Sequence, residues 1–262
     1  MRRLRRRQAG DCRYIPVLAD RVGLYTLATS DISNQGSRDV ATPIETLEPR
    51  FYALSENVGL GTGTCQEAGL ELSALEVRTF EGGEFQLRPL ASVRNRTAYV
   101  LQSLAGSPRT SIADDFVRLL FLLSGLRDAG AIQRIALIPY LAYARQDRRT
   151  QLRDSVNTRY VAQLLEASGA DRVICLDVHN PAALDNAFRI PVDHLTALPM
   201  MADRIASSHE KAALVVVSPD VGGIKRAQIF QQLMEERVGH TMQLALLEKR
   251  RAPGNVFTGR LM

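Results

Sequence analysis

The chain has 262 residues, 45% apolar and 23% charged, enough to bury a sizeable core, which excludes a peptide, a disulfide mini-scaffold and a wholly disordered protein. Its formal charge of +5 does not mark a nucleic-acid-binding body, because Arg2, Arg3, Arg5, Arg6 and Arg7 carry that whole excess in a tail. Three cysteines, none in a CxxC pair, support neither a disulfide framework nor a zinc site and point to a reduced, cytoplasmic setting, and no apolar run is long enough to span a membrane.

In chain order, residues 1–50 carry Asp/Asn/Ser/Gly clusters and are expected to form a weakly ordered extension. No apolar stretch follows the tail arginines before Asp20, so a secretory signal is not expected. From Phe51 the pattern becomes α/β. Gly59-Leu60-Gly61-Thr62-Gly63 reads as a flexible strand-to-helix turn, mis-spaced for a dinucleotide fingerprint. Ala98–Leu101, Arg134–Ile138, Arg172–Leu176 and Ala213–Val217 are short apolar runs with little alternation, which predicts strands buried on both faces in one central sheet. Phe116, Leu119, Leu120 and Leu123 keep helical spacing, as do Val156, Tyr160 and Leu164 with Val161 and Leu165. The first of these helices is apolar almost all round, which suits a central or subunit-interface position. Strands alternating with helices imply right-handed crossovers and a mostly parallel sheet.

Ligands of such sheets sit beyond the carboxyl ends of the strands. There the sequence puts Arg145-Gln146-Asp147-Arg148-Arg149, then Asp177-Val178-His179, then Ser218-Pro219-Asp220-Val221-Gly222-Gly223. Guanidinium groups pair bidentately with phosphate, so the arginine cluster is either a polyphosphate site or a solvated helix start. His179 is either a packed histidine or a group beside a phosphate or Mg²⁺. Asp220 either caps the following turn or faces a hydroxyl or hydrated Mg²⁺.

Taken in series, these segments resemble the ribose-phosphate pyrophosphokinases (phosphoribosyl diphosphate synthetases). Phe80-Glu81-Gly82-Gly83-Glu84 is similar to the family's Phe-x-Asp-Gly-Glu motif, and Ala144–Arg148 to its Ala-Arg-Gln-Asp-Arg segment. Gly169–Val173, Asp177–His179, Ile190–Leu195 and Val217–Gly223 match further signatures in the same order. The resemblance covers residues 51–262 and implies two related phosphoribosyltransferase-like α/β domains: 51–192, carrying most of the ATP site, and 193–262, the second incomplete. It implies Mg²⁺-dependent transfer of the pyrophosphoryl group of ATP to the 1-hydroxyl of ribose 5-phosphate, in dimers that build to hexamers. Phe80, Gly82, Gly83, Glu84, Arg145, Gln146 and His179 would then serve ATP, with His179 and Asp220 at metal. Asp220 and Arg251 would face ribose phosphate, and Lys249 and Arg251 would be catalytic, on a mobile segment. Ser92 and Arg94 match a stretch linked to regulation.

The departures carry weight too. Gly82 stands where the family has aspartate, and Arg153–Arg159 follows the family's Arg-x-Pro-Ile-Ser-Ala-Lys stretch loosely. The family's Asp-Asp-x-x-x-Thr-x-Gly-Thr loop, which cradles the ribose phosphate, is absent before Met262. The resemblance therefore implies a C-terminally shortened synthetase or, alternatively, a non-catalytic nucleotide-binding relative that assembles with an active one.

Overall fold

The structure, a computed structural model, describes residues 47–208, 214–251 and 257–261. The expected extension lies outside the described residues up to residue 46. The chain divides into two compact units, one running to Asp193 and the other from His194.

The first unit alternates strands and helices: β1 (Leu47–Ala53), α1 (Val58–Ala68), the hairpin β2 (Leu75–Thr79) and β3 (Phe85–Pro89), β4 (Arg96–Leu101), α2 (Ile112–Asp128), β5 (Gln133–Ile138), α3 (Asn157–Ala167), β6 (Arg172–Leu176), α4 (Pro181–Ala187) and β7 (Val192–Leu195). Its main sheet has the order β1-β4-β5-β6-β7, with β1/β4, β4/β5 and β5/β6 parallel. One register row crosses it as Tyr52, Val100, Ala136 and Val173, each fully buried. That row explains the near-continuous apolar strand sequences, since helices cover both faces of a parallel sheet.

Helix α2 starts at a capping box: the Ser111 side chain accepts from the Asp114 amide at 3.1 Å, and the Asp114 carboxylate accepts from the Ser111 amide at 2.9 Å. It buries Phe116, Leu119, Leu122, Leu123 and Leu126. On its outer side Phe121 stays exposed and meets Phe85 of the β2–β3 hairpin at 5.5 Å between ring centroids, while the Arg118 guanidinium sits 4.6 Å over the Phe85 ring.

Four sequence-based expectations are corrected. Residues 47–50 belong to β1 and not to the extension. Gly59–Gly63 is not a turn but the first half of α1, and its glycines have a packing reason: a Cβ on Gly61 would lie 2.6 Å from the Ala53 Cβ, so the helix can approach β1 only without one. In α3 the buried face is Thr158, Val161, Ala162 and Leu165, while Tyr160 and Leu164 are exposed. The run near 213–217 forms β8 (Val215–Ser218), which is not in the central sheet.

The second unit contains α5 (Leu198–Ser208), β8, α6 (Ile224–Val238), β9 (Gln243–Arg251) and β10 (Phe257–Leu261). Its sheet runs β10-β9-β8, with β8 and β9 parallel and β9 and β10 antiparallel. Ala202, Val216, Ala227, Met234 and Met242 form its core. Among the described residues no helix is long and apolar enough to cross a membrane.

Candidate functional site

At the carboxyl edge of the first sheet, the loop after β5 is held by its own backbone and by α3. Tyr143 adopts a left-handed conformation (φ 62°), which turns the chain so that its carbonyl accepts from the Gln146 amide at 3.0 Å and the Thr158 hydroxyl at 3.1 Å. The Gln146 side-chain oxygen accepts from the Asn157 amide group. Farther along, the Asp154 carboxylate accepts from the Thr150 hydroxyl and from the Thr150 and Gln151 amides at 2.8–3.0 Å. These bonds favour its charged form and hold its pKa below the ordinary aspartate value. Arg145, Arg148 and Arg149 project from this knotted loop, all exposed.

The loop after β6 is joined to it. Asn180 donates from its side chain to Asp147 at 2.7 Å, and its side-chain oxygen caps α4 by accepting from the Ala183 amide at 3.3 Å. Asp177 takes positive φ (45°) at the strand end, and His179 is exposed next to Asn180. The structure thus ties together the loops that carry Arg145, Gln146 and His179. Exposed guanidinium groups and an imidazole on two linked loops make an anion-receptive edge.

The Phe80–Glu84 motif forms the tip of the β2–β3 hairpin. The Phe80 amide donates to the Glu84 carbonyl at 2.7 Å, and the Gly83 amide donates to the Phe80 carbonyl at 3.1 Å. Gly82 (φ 83°) and Gly83 (φ 89°) both lie in the left-handed region, so the double glycine fits the turn's geometry. Phe80 is half exposed. Ser92 and Arg94 lie just before β4, at the amino edge of the sheet, away from the two linked loops. There the Ser92 carbonyl accepts from the Arg50 guanidinium at 3.4 Å.

In the second unit, Asp220 is a cap: its Oδ1 accepts from the Gly223 amide at 2.9 Å, and the buried Ser218 hydroxyl donates to the Asp220 carbonyl at 2.8 Å. A Cβ on Gly223 would come within 2.9 Å of the Ser218 Oγ. Lys249 and Arg251 are in β9, in register with Gly259 and Phe257 of β10. Among the described residues no three His, Cys, Asp or Glu side chains gather to hold a metal ion. His179 could supply at most one ligand there, so a Mg²⁺ ion would have to be held mainly by water and phosphate oxygens, its usual mode beside nucleotides.

Two features were not foreseen from the sequence. The Asn180–Asp147 bond links residues 33 positions apart, and Arg134 clamps the amino end of β5 by donating to the Gly169 and Ala131 carbonyls at 2.6 and 2.7 Å and to Asp171 at 2.8 Å. Asp171 belongs to a segment singled out as a signature, and its observed work is structural.

The first unit is thus a mostly parallel α/β sheet that presents exposed guanidinium groups on the loop after β5 and an exposed imidazole on the loop after β6. The sequence pattern of the N-terminal domain of ribose phosphate pyrophosphokinase matches residues 50–169. The ribose-phosphate pyrophosphokinase 1 of Streptococcus pneumoniae is 34% identical over 214 residues, 81% of this chain and 63% of its own length. The ribose-phosphate pyrophosphokinase of Caldanaerobacter subterraneus is 34% identical over 207 residues, 79% of this chain and 62% of its own. The crystal structure of phosphoribosylpyrophosphate synthetase from Mycobacterium smegmatis superposes with a TM-score of 0.71 at 28% identity, covering 82% of this chain and 67% of that one. Over residues 50–169 the chain matches the N-terminal domain of the ribose-phosphate pyrophosphokinase family, and it spans a little under two thirds of the length of these curated relatives.

Proposed function

We propose that the chain takes part in the Mg²⁺-dependent transfer of the pyrophosphoryl group of ATP to the 1-hydroxyl of ribose 5-phosphate. The bond from that oxygen to the β-phosphorus forms as the bond between the α,β-bridging oxygen and the β-phosphorus breaks; AMP leaves, and the hydroxyl proton is released to solvent. The observation that carries this reading is the Asn180–Asp147 bond, because it joins the loop bearing Arg145 and Gln146 to the loop bearing His179.

Phosphoryl transfer depends mainly on positioning and charge neutralisation. Arg145 would pair with phosphate oxygens, and Gln146, its side-chain oxygen held by Asn157, would present its amide donors to the nucleotide. His179 would hold the triphosphate and its Mg²⁺. When bound, Mg²⁺ supplies charge neutralisation on the phosphate oxygens. Phe80 and the Gly82-Gly83-Glu84 turn would line the adenine pocket of a neighbouring copy, which their place at an exposed hairpin tip allows. Asp220 would face the ribose or a second metal through the carboxylate oxygen not engaged by Gly223. Lys249 and Arg251 would neutralise charge at the reacting phosphorus, and Ser92 and Arg94 would belong to a regulatory surface. Family resemblance supports a homo-oligomer of dimers building to hexamers in the cytoplasm.

The test incubates the purified chain with ATP, Mg²⁺ and ribose 5-phosphate and follows AMP and phosphoribosyl diphosphate. Equimolar formation of both is expected; a folded chain that releases neither overturns the reading.

A further inference from the structure

A cavity of about 210 Å³ opens between the residues after β1, the segment after β4 and the first turn of α2. Glu56, Asn57, Ser103, Ser107 and Asp115 line it. Asp115 is 3% exposed, its Oδ1 has no hydrogen-bond partner, and no ion pair among the described residues includes it. An unpaired buried carboxylate is expensive, and the positive end of α2 offsets only part of that cost.

The other polar groups of the lining do not relieve it. Asn57 is engaged at both ends of its amide, its oxygen with the Ser103 amide at 3.3 Å and its nitrogen with the Leu54 carbonyl at 3.0 Å. The Ser107 oxygen accepts from the Arg109 and Thr110 amides at 3.1 Å. Glu56 adds a second carboxylate, met only by exposed Arg109 at 3.6 Å. One residue before Ser103, fully buried Gln102 has its side-chain oxygen unpartnered as well. Among the described residues the corner holds two carboxylates, and the cation that meets either of them is the exposed Arg109.

We propose that this cavity binds a small primary ammonium ion, with N–H donors directed to Asp115 and positive charge facing Glu56. At about 210 Å³ the pocket has room for a small organic cation. Two carboxylates without a third ligand also favour a cation that brings its own donors over a stripped metal ion. The inference is independent of the pyrophosphokinase reading, because binding is measured without ATP or ribose 5-phosphate.

The experiment titrates the full chain with ethylammonium chloride by calorimetry and thermal melting. Tetramethylammonium chloride, with equal charge but no N–H, is the control. Saturable one-site binding of ethylammonium is expected, with Asp115→Asn weakening it at least about tenfold, as loss of a hydrogen bond to a charged group implies. Glu56→Gln, at an exposed position, keeps the test valid if Asp115→Asn does not fold, and is expected to weaken binding about two- to fivefold. Equal response to the two cations, or unchanged affinity in Glu56→Gln or in folded Asp115→Asn, overturns the proposal.

Discussion

Asp154 organises the arginine loop through its carboxylate, while its backbone carbonyl accepts from the Arg149 guanidinium at 3.2 Å. Its carboxylate closes three hydrogen bonds onto Thr150 and Gln151, so the loop's shape depends on that oxygen staying charged. The Asp154 pKa is lowered in the folded chain, so its stabilisation is present above the ordinary aspartate value and is lost as pH falls through the lowered one. Asp154→Ala is therefore expected to raise the KM for ATP several-fold and leave kcat nearly unchanged, since it loosens a binding loop; steady-state kinetics at neutral pH read the split. Residue types at strand ends were legible because arginine, histidine and aspartate there serve few purposes. Asp220 shows the limit of that reading: the carboxylate and the paired glycines were visible, but the cap onto Gly223 follows from backbone geometry, which composition does not carry.

Elements were legible where burial on two faces wrote itself into the sequence. The strands β4, β5 and β6 lie where the apolar runs predict them. Helix α1 was missed because glycines ordinarily argue against a helix, and the compensating reason, contact with Ala53, is a tertiary one. The placement of β8 in a separate sheet was also out of reach, since a strand's own residues do not name its neighbours. Helix α2 is the main brace of the first core, and Leu123 within it is fully buried. Leu123→Ala is expected to cost about 2–5 kcal/mol, read as a lower denaturant midpoint with an unchanged m-value.

On the scale of the whole molecule, the anion-receptive loops belong to the first unit, while Lys249 and Arg251 belong to the second. Lys249→Ala is expected to lower turnover about 10²–10³-fold while ATP affinity changes little, as for a group that acts mainly in the transition state. Equal losses in both would place Lys249 in ground-state binding. Helix-and-strand alternation announced the α/β class, and ordered motifs announced the family, but neither announced the cavity beside Asp115, where three segments distant in sequence meet and one carboxylate oxygen has no hydrogen-bond partner.

The bond between Asn180 and Asp147 also makes a statement about time. Two loops fastened at one point cannot open independently, so their backbone amides are expected to exchange with deuterium as a single cooperative unit. Asn180→Ala would split that unit into two with separate rates, and mass spectrometry of the peptides containing residues 143–154 and 177–183 would see the separation even in the absence of substrate. The molecule would then carry two local clocks in place of one.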